Sequence, residues 1–167
     1  MKRLLALSIV LPALAAALVA IALATGVPSP RTNPCALVTR ADARRALGVQ
    51  PRPGVAAPAS DYAPPNAPNT TCAYFGAPKG YVRVTYVGDA RSYEAFRKQV
   101  AGDAVDLHGI GDAALWVKSD AEIIHVLKHG FAFTVLLHYQ SDNTALNDPK
   151  SPLPQLIQLA KVAASRL

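Results

Sequence analysis

Glu122-Ile123-Ile124-His125-Val126-Leu127-Lys128-His129-Gly130-Phe131-Ala132-Phe133-Thr134-Val135-Leu136-Leu137-His138-Tyr139-Gln140 carries two β-rich segments around a His-Gly pair. β-Branched and aromatic residues favour strands, and a two-residue loop ending in glycine joins antiparallel neighbours. Glu122 to Leu127 and Phe131 to Gln140 therefore read as a hairpin with His129-Gly130 at its tip. In that register Leu127 faces Ala132 and His125 faces Thr134. Alternation then gives the hairpin unequal sides. Ile124, Val126, Phe131, Phe133, Val135 and Leu137 make the more apolar one, expected to meet the helices. Ile123, His125, Leu127, Thr134, Leu136 and His138 make a mixed one, apolar enough to want cover and polar enough to tolerate water.

The same rules extend outward. Thr39 is a good helix N-cap with Asp42 three residues on, so a helix is expected from Arg40 to Leu47, stopped by Gly48. Gln50 to Thr71 holds Pro51, Pro53, Pro58, Pro64, Pro65 and Pro68 without apolar periodicity and reads as a loop. Thr71–Gly76 and Tyr81–Val87 read as strands, with Val82, Val84 and Tyr86 on one side and Tyr81, Arg83 and Thr85 on the other. Ser92 is expected to cap a second helix whose stripe is Tyr93, Phe96 and Val100, with Gly102 at its end. After Gly109-Ile110-Gly111-Asp112 comes a strand from Ala113 to Lys118, with Trp116 read as core. A last helix starts near Ser151, where Pro152 and Pro154 are tolerated in the first turn, and presents Leu153, Leu156, Ile157, Ala160, Ala163, Ala164 and Leu167. The expected fold is α+β: an antiparallel sheet of about five strands with helices packed on one face and one disulfide.

Cys35 and Cys72 are the only cysteines of the 167 residues. An even count in an exported chain pairs them most simply, which closes the proline-rich loop and contributes about 4 kcal/mol in the chain-entropy model. Export itself is read from the start of the chain. Lys2 and Arg3 precede an uncharged apolar run from Leu4 to Ala24, and Ala22-Leu23-Ala24 fits signal-peptidase cleavage. The run is also long enough to span a bilayer as a retained anchor. Residues 1–24 are thus a signal peptide or a membrane anchor, 25–34 a linker, and 35–167 one extracytoplasmic domain, secreted, periplasmic or held at the cell envelope. Membrane contact is expected only through the N-terminal segment.

The formal charge is +6, from 17 Lys and Arg against 11 Asp and Glu, and it falls to +4 without Lys2 and Arg3. The cations are scattered, whereas nucleic-acid binders concentrate them along a stripe that tracks phosphates; no nucleic acid is expected. His125 and His129 have the i,i+4 spacing of helical metal ligands, but they lie on a strand and its turn. His125 and His138 share a side at a separation of about 13 Å, too far for one ion with ligands at ~2 Å. No metal or cofactor is expected. Asp112 reads as turn chemistry, since Gly109-Ile110-Gly111-Asp112 lacks the strand-then-helix setting of a phosphate cradle. No nucleophile elbow occurs and no catalytic residue is nominated.

Asn33-Pro34-Cys35-Ala36-Leu37-Val38-Thr39, the helix end Ala46-Leu47-Gly48, Cys72-Ala73-Tyr74 and Gly109-Ile110-Gly111-Asp112-Ala113-Ala114 together resemble a family of small exported proteins. That family, many of whose members are actinobacterial lipoproteins, is called domain of unknown function 3558. The resemblance covers residues 33–167 and implies an extracytoplasmic domain with bridged cysteines and no established activity. More distantly, the chain resembles extracellular sensor domains. It departs from the lipoprotein members in that Thr32, Asn33 and Pro34 before Cys35 are not a lipobox.

The functional expectation is a non-enzymatic binding or accessory domain. Its partner would be an envelope protein or a small apolar ligand, received on the hairpin side that carries His125, Thr134, Leu136 and His138. The alternative is a small secreted hydrolase whose site gathers residues distant in sequence, and a purely structural envelope protein is a third reading.

Overall fold

Capping chemistry sets the first helix where the sequence places it. The structure, a computed structural model, describes residues 33–58, 70–117, 123–139 and 152–167. A 3-10 turn at Pro34–Ala36 leads to α1, Arg40–Leu47. The Thr39 backbone N–H donates to the Asp42 carboxylate at 2.8 Å, and the Asp42 N–H donates to the Thr39 hydroxyl at 3.3 Å. Each group satisfies a donor the helix cannot pair itself. Gly48 ends α1 in the left-handed region at φ 70°, its N–H bonded to the Arg44 carbonyl.

One antiparallel sheet follows. Its strands in chain order are β1 (Val55–Ala57), β2 (Thr71–Gly76), β3 (Gly80–Asp89), β4 (Ala104–Asp106), β5 (Ala113–Val117), β6 (Ile123–Lys128) and β7 (Phe131–Tyr139). They are ordered β1-β2-β3-β7-β6-β5-β4 across the sheet. The α+β class therefore holds, with seven strands among the described residues rather than about five. The added strands, β1 and β4, are the two edges, of three residues each. β1 lies inside the stretch expected to be loop, held by its pairing of Val55 with Ala73 and Ala57 with Thr71.

The hairpin has the expected register: Leu127 opposite Ala132 and His125 opposite Thr134. Both turn residues have positive φ, 49° at His129 and 81° at Gly130, as a primed two-residue turn requires. Asp112 supports that turn from outside. Its carboxylate accepts from the His129 N–H at 2.6 Å and from Lys128 Nζ at 2.9 Å. Gly111 lets the loop approach so closely because a Cβ there would lie 2.5 Å from the Leu127 carbonyl oxygen.

Helices α2 (Ala90–Gln99) and α3 (Leu153–Ala164) complete the domain. The residue capping α2 is Asp89, not Ser92. The Asp89 carboxylate accepts from the Ser92 N–H at 3.0 Å and its hydroxyl at 3.1 Å, which places Ser92 at the third helical position. Val100 is the C-cap of α2, which thus stops ahead of Gly102. α3 begins at Leu153 with Pro152 in the cap position and Pro154 in its first turn.

The first face of the sheet holds the main core. Val82, Val84, Ile124, Val126, Phe133, Val135 and Leu137 are fully buried there with Leu37 and Val38 and with Ala43, Leu47, Leu156, Ala160 and Ala163 of α1 and α3. Each buried aliphatic side chain stabilises by roughly 1.5–3 kcal/mol relative to leaving it exposed. The expectation that all helices share this face is corrected for α2. Tyr93, Phe96 and Val100 pack with Leu115, Val117, Leu127 and Ala132, and the register puts those residues on the opposite side. The mixed face is apolar enough at this end to bury a helix stripe.

Cys35 and Cys72 form a disulfide with Cα atoms 5.1 Å apart. It ties the turn before α1 to β2, and there Tyr74 donates its hydroxyl to the Val38 carbonyl at 2.6 Å. Among the described residues no helix is long and apolar enough to cross a membrane. The leader, residues 1–24, the linker up to residue 32, and residues 59–69 of the proline-rich stretch lie outside the described residues.

Candidate functional site

The residues picked from the hairpin's mixed side divide between two environments. His125 lies beneath α2: its ring stacks on that of Phe96 with centroids 3.9 Å apart and planes 23° from parallel. Burial without a compensating charge lowers its pKa from 6.5 to about 4, so the imidazole is neutral at ordinary pH. Leu136 is 6% exposed and belongs to neither of the two core clusters. Thr134 is half-buried beside His125. His138 lies at the far end, away from α2, in different company.

There, strand pairing builds an aromatic row. Phe75 of β2 is opposite Tyr81 of β3, and Tyr81 is opposite His138 of β7. The ring centroids are 5.7 Å apart from Phe75 to Tyr81 and 5.1 Å from Tyr81 to His138, with planes tilted 38° and 37°. Tyr81 and His138 are half-buried, and Phe75 is 46% exposed. One step along the strands lies a row of Val55, Ala73, Arg83 and Leu136. Val55 is 55% exposed and Arg83 is exposed. A further step brings Thr71, Thr85 and Thr134, with the Thr71 and Thr85 hydroxyl oxygens 3.1 Å apart. Moving from the strand ends towards α2, this face passes from aromatic, to a small apolar row with one guanidinium, to hydroxyl.

Sequence reasoning identified His138 and the Tyr81–Arg83–Thr85 side of β3 but not their union. That union depends on β3 pairing with β7 across the whole of α2, β4, β5 and β6, and no local pattern encodes it. Phe75 was readable as a residue facing away from Cys72 and Tyr74, since side chains alternate along β2.

Among the described residues, hollows lie elsewhere as well. A groove of about 370 Å³ between α1 and α3 is lined by Ala46, Leu159 and Val162, with Gln155, Gln158, Arg45 and Asp42. Its one carboxylate is already committed: Asp42 accepts from the Thr39 hydroxyl at 2.7 Å, from Arg166 at 2.6 Å and from Arg45. Those donors hold its carboxyl well below the usual range despite burial. A second hollow, about 270 Å³, lies against the Gly109–Asp112 loop beside Arg97, Asp106 and His108. Neither lining includes a serine, threonine or cysteine that could act as a nucleophile. Among the described residues no three His, Cys, Asp or Glu side chains gather closely enough to hold a metal ion.

The motif residues behind the family resemblance act structurally. The Asn33 side chain accepts from the Cys35 N–H at 3.0 Å, Thr39 caps α1, Gly48 ends it, and Asp112 braces the hairpin turn. Comparison with known proteins adds no assignment: no protein-family model, no curated protein and no solved structure matches this chain.

Proposed function

We propose that this protein is an extracytoplasmic binding or accessory domain whose partner meets the end of the sheet's second face that α2 leaves uncovered. The observation that carries this reading is the row Phe75, Tyr81 and His138, with Phe75 and the neighbouring Val55 each about half exposed. Aromatic side chains supply large contact area at low entropic cost and are over-represented where proteins bind. Exposed apolar surface on a β-sheet face is a liability unless something uses it.

Export is supported by the charged, apolar, small-residue order of the first 24 residues and by the disulfide, which persists in oxidising compartments. The short motifs shared with the exported proteins of domain of unknown function 3558 point the same way, and their lipid anchor is not expected here because Cys35 is already bonded to Cys72.

The test is affinity capture from the cell envelope with the exported protein, comparing wild type with the double variant Phe75→Ser/Tyr81→Ser. The reading predicts that a component retained by wild type is lost from the variant while circular dichroism and the disulfide are unchanged. Retention by both proteins contradicts it.

A further inference from the structure

The partner's chemistry is written in what surrounds the aromatic row. Pro51–Pro58 and Thr70–Gly88, which supply β1, β2 and all but the last residue of β3, contain the cations Arg52, Lys79 and Arg83 and not one carboxylate. β6 and β7 add Lys128 at the opposite end and again no carboxylate. The Arg83 side chain is exposed and makes no hydrogen bond or ion pair among the described residues. On β3 it stands two residues from Tyr81 on one side and two from Thr85 on the other, which puts all three on one face at intervals of about 6.6 Å.

We infer that this face receives a carboxylate-bearing glycan chain: sugar rings lie along Phe75, Tyr81 and His138, and Arg83 pairs the carboxylate of a ring seated there. The inference rests on the reading of this face as the binding surface. The ring spacings of 5.7 and 5.1 Å are close to the length of one pyranose residue, so successive sugars meet successive aromatic side chains. A guanidinium matches a carboxylate through two parallel hydrogen bonds, which a neutral sugar cannot return. Thr85 and Thr134 supply hydroxyls of the kind that exchange hydrogen bonds with sugar hydroxyls. A nucleic-acid strand fits less well, because it needs a stripe of cations following its phosphates, and this face offers one arginine, with Arg52 and Lys79 in the segments that flank the strands.

The test titrates the disulfide-bonded exported protein with a galacturonic acid hexasaccharide and with the same saccharide after its carboxyls are reduced to alcohols. A thymidine oligonucleotide and phosphatidylglycerol vesicles are run beside them. The inference predicts that the acidic saccharide binds and shifts the amide resonances of Phe75, Tyr81 and Arg83. The reduced saccharide and the variant Arg83→Gln should each weaken binding roughly tenfold or more, as loss of a charge-assisted pair does. Lys98→Gln, on the exposed side of α2, should leave it unchanged. Equal affinity for the reduced saccharide, no saccharide binding, or tighter binding of the oligonucleotide or vesicles overturns the inference. If no saccharide binds while envelope capture still depends on Phe75 and Tyr81, the binding-surface reading stands and the glycan alone is rejected.

Discussion

The imidazole of His125 and the ring of Phe96 stack 3.9 Å apart, joining β6 to α2 across the sheet's second face. Burial at this contact disfavours the charged imidazolium and holds His125 neutral. The folded pKa, about 4, lies below the unfolded value of 6.5, so protonation favours the unfolded chain. Stability from this group is intact above pH 6.5 and is lost as pH falls towards 4, by on the order of 2 kcal/mol once residual solvent is allowed for. Urea midpoints measured between pH 7.5 and 4.5 should decline over that window, and His125→Leu should flatten the decline. An unchanged slope in the variant would place the pH dependence elsewhere.

Beneath the same helix the hydroxyl of Tyr93 is buried without a hydrogen-bond partner among the described residues, and burial raises its pKa to about 12. Leaving a buried donor unpaired is costly, so Tyr93→Phe should stabilise the protein by about 1 kcal/mol. Thermal unfolding checks this, and a clear loss of stability would reveal a partner for the hydroxyl.

Asp42 anchors the other face. Its side chain is 2% exposed and joins the start of α1 to Arg166 after α3, and Arg166 also donates to the Leu37 carbonyl at 2.7 Å. Asp42→Ala removes a cap and leaves Arg166 without its counter-charge, a loss of about 3 kcal/mol measurable by denaturant titration. Arg45→Ala should cost far less, because Arg45 is 74% exposed.

The Gly109–Asp112 loop offers a paired comparison. A Cβ on Gly109 enters open space at φ 74°, so Gly109→Ala should cost only about 1 kcal/mol of left-handed strain. The same change at Gly111, φ 60°, also drives a Cβ against the Leu127 carbonyl and should cost about 2 kcal/mol or more.

These relationships show where local chemistry suffices. The α1 limits follow from Thr39, Asp42 and Gly48, and the β6–β7 register from His129 and Gly130, because caps and two-residue turns are set by neighbours in the chain. The edge strands Val55–Ala57 and Ala104–Asp106 are too short to show a period and exist through their partners. The side chosen by α2 was hidden because His125 and Thr134 make that face look wet; burial of a neutral histidine under Phe96 is a tertiary outcome. The aromatic row was legible strand by strand and invisible as a row, since Phe75, Tyr81 and His138 meet only through long-range pairing.

Hydroxyl-radical footprinting bears most directly on whether this face is a binding surface, with the protein labelled in intact cells and again after purification. Phe75 and Tyr81 should be oxidised several-fold more slowly in the envelope than in the purified protein, while Val87, 46% exposed and beyond the row, should label equally in both. Equal labelling of Phe75 and Tyr81 in the two settings would mean that nothing occupies the face and would contradict the proposed role.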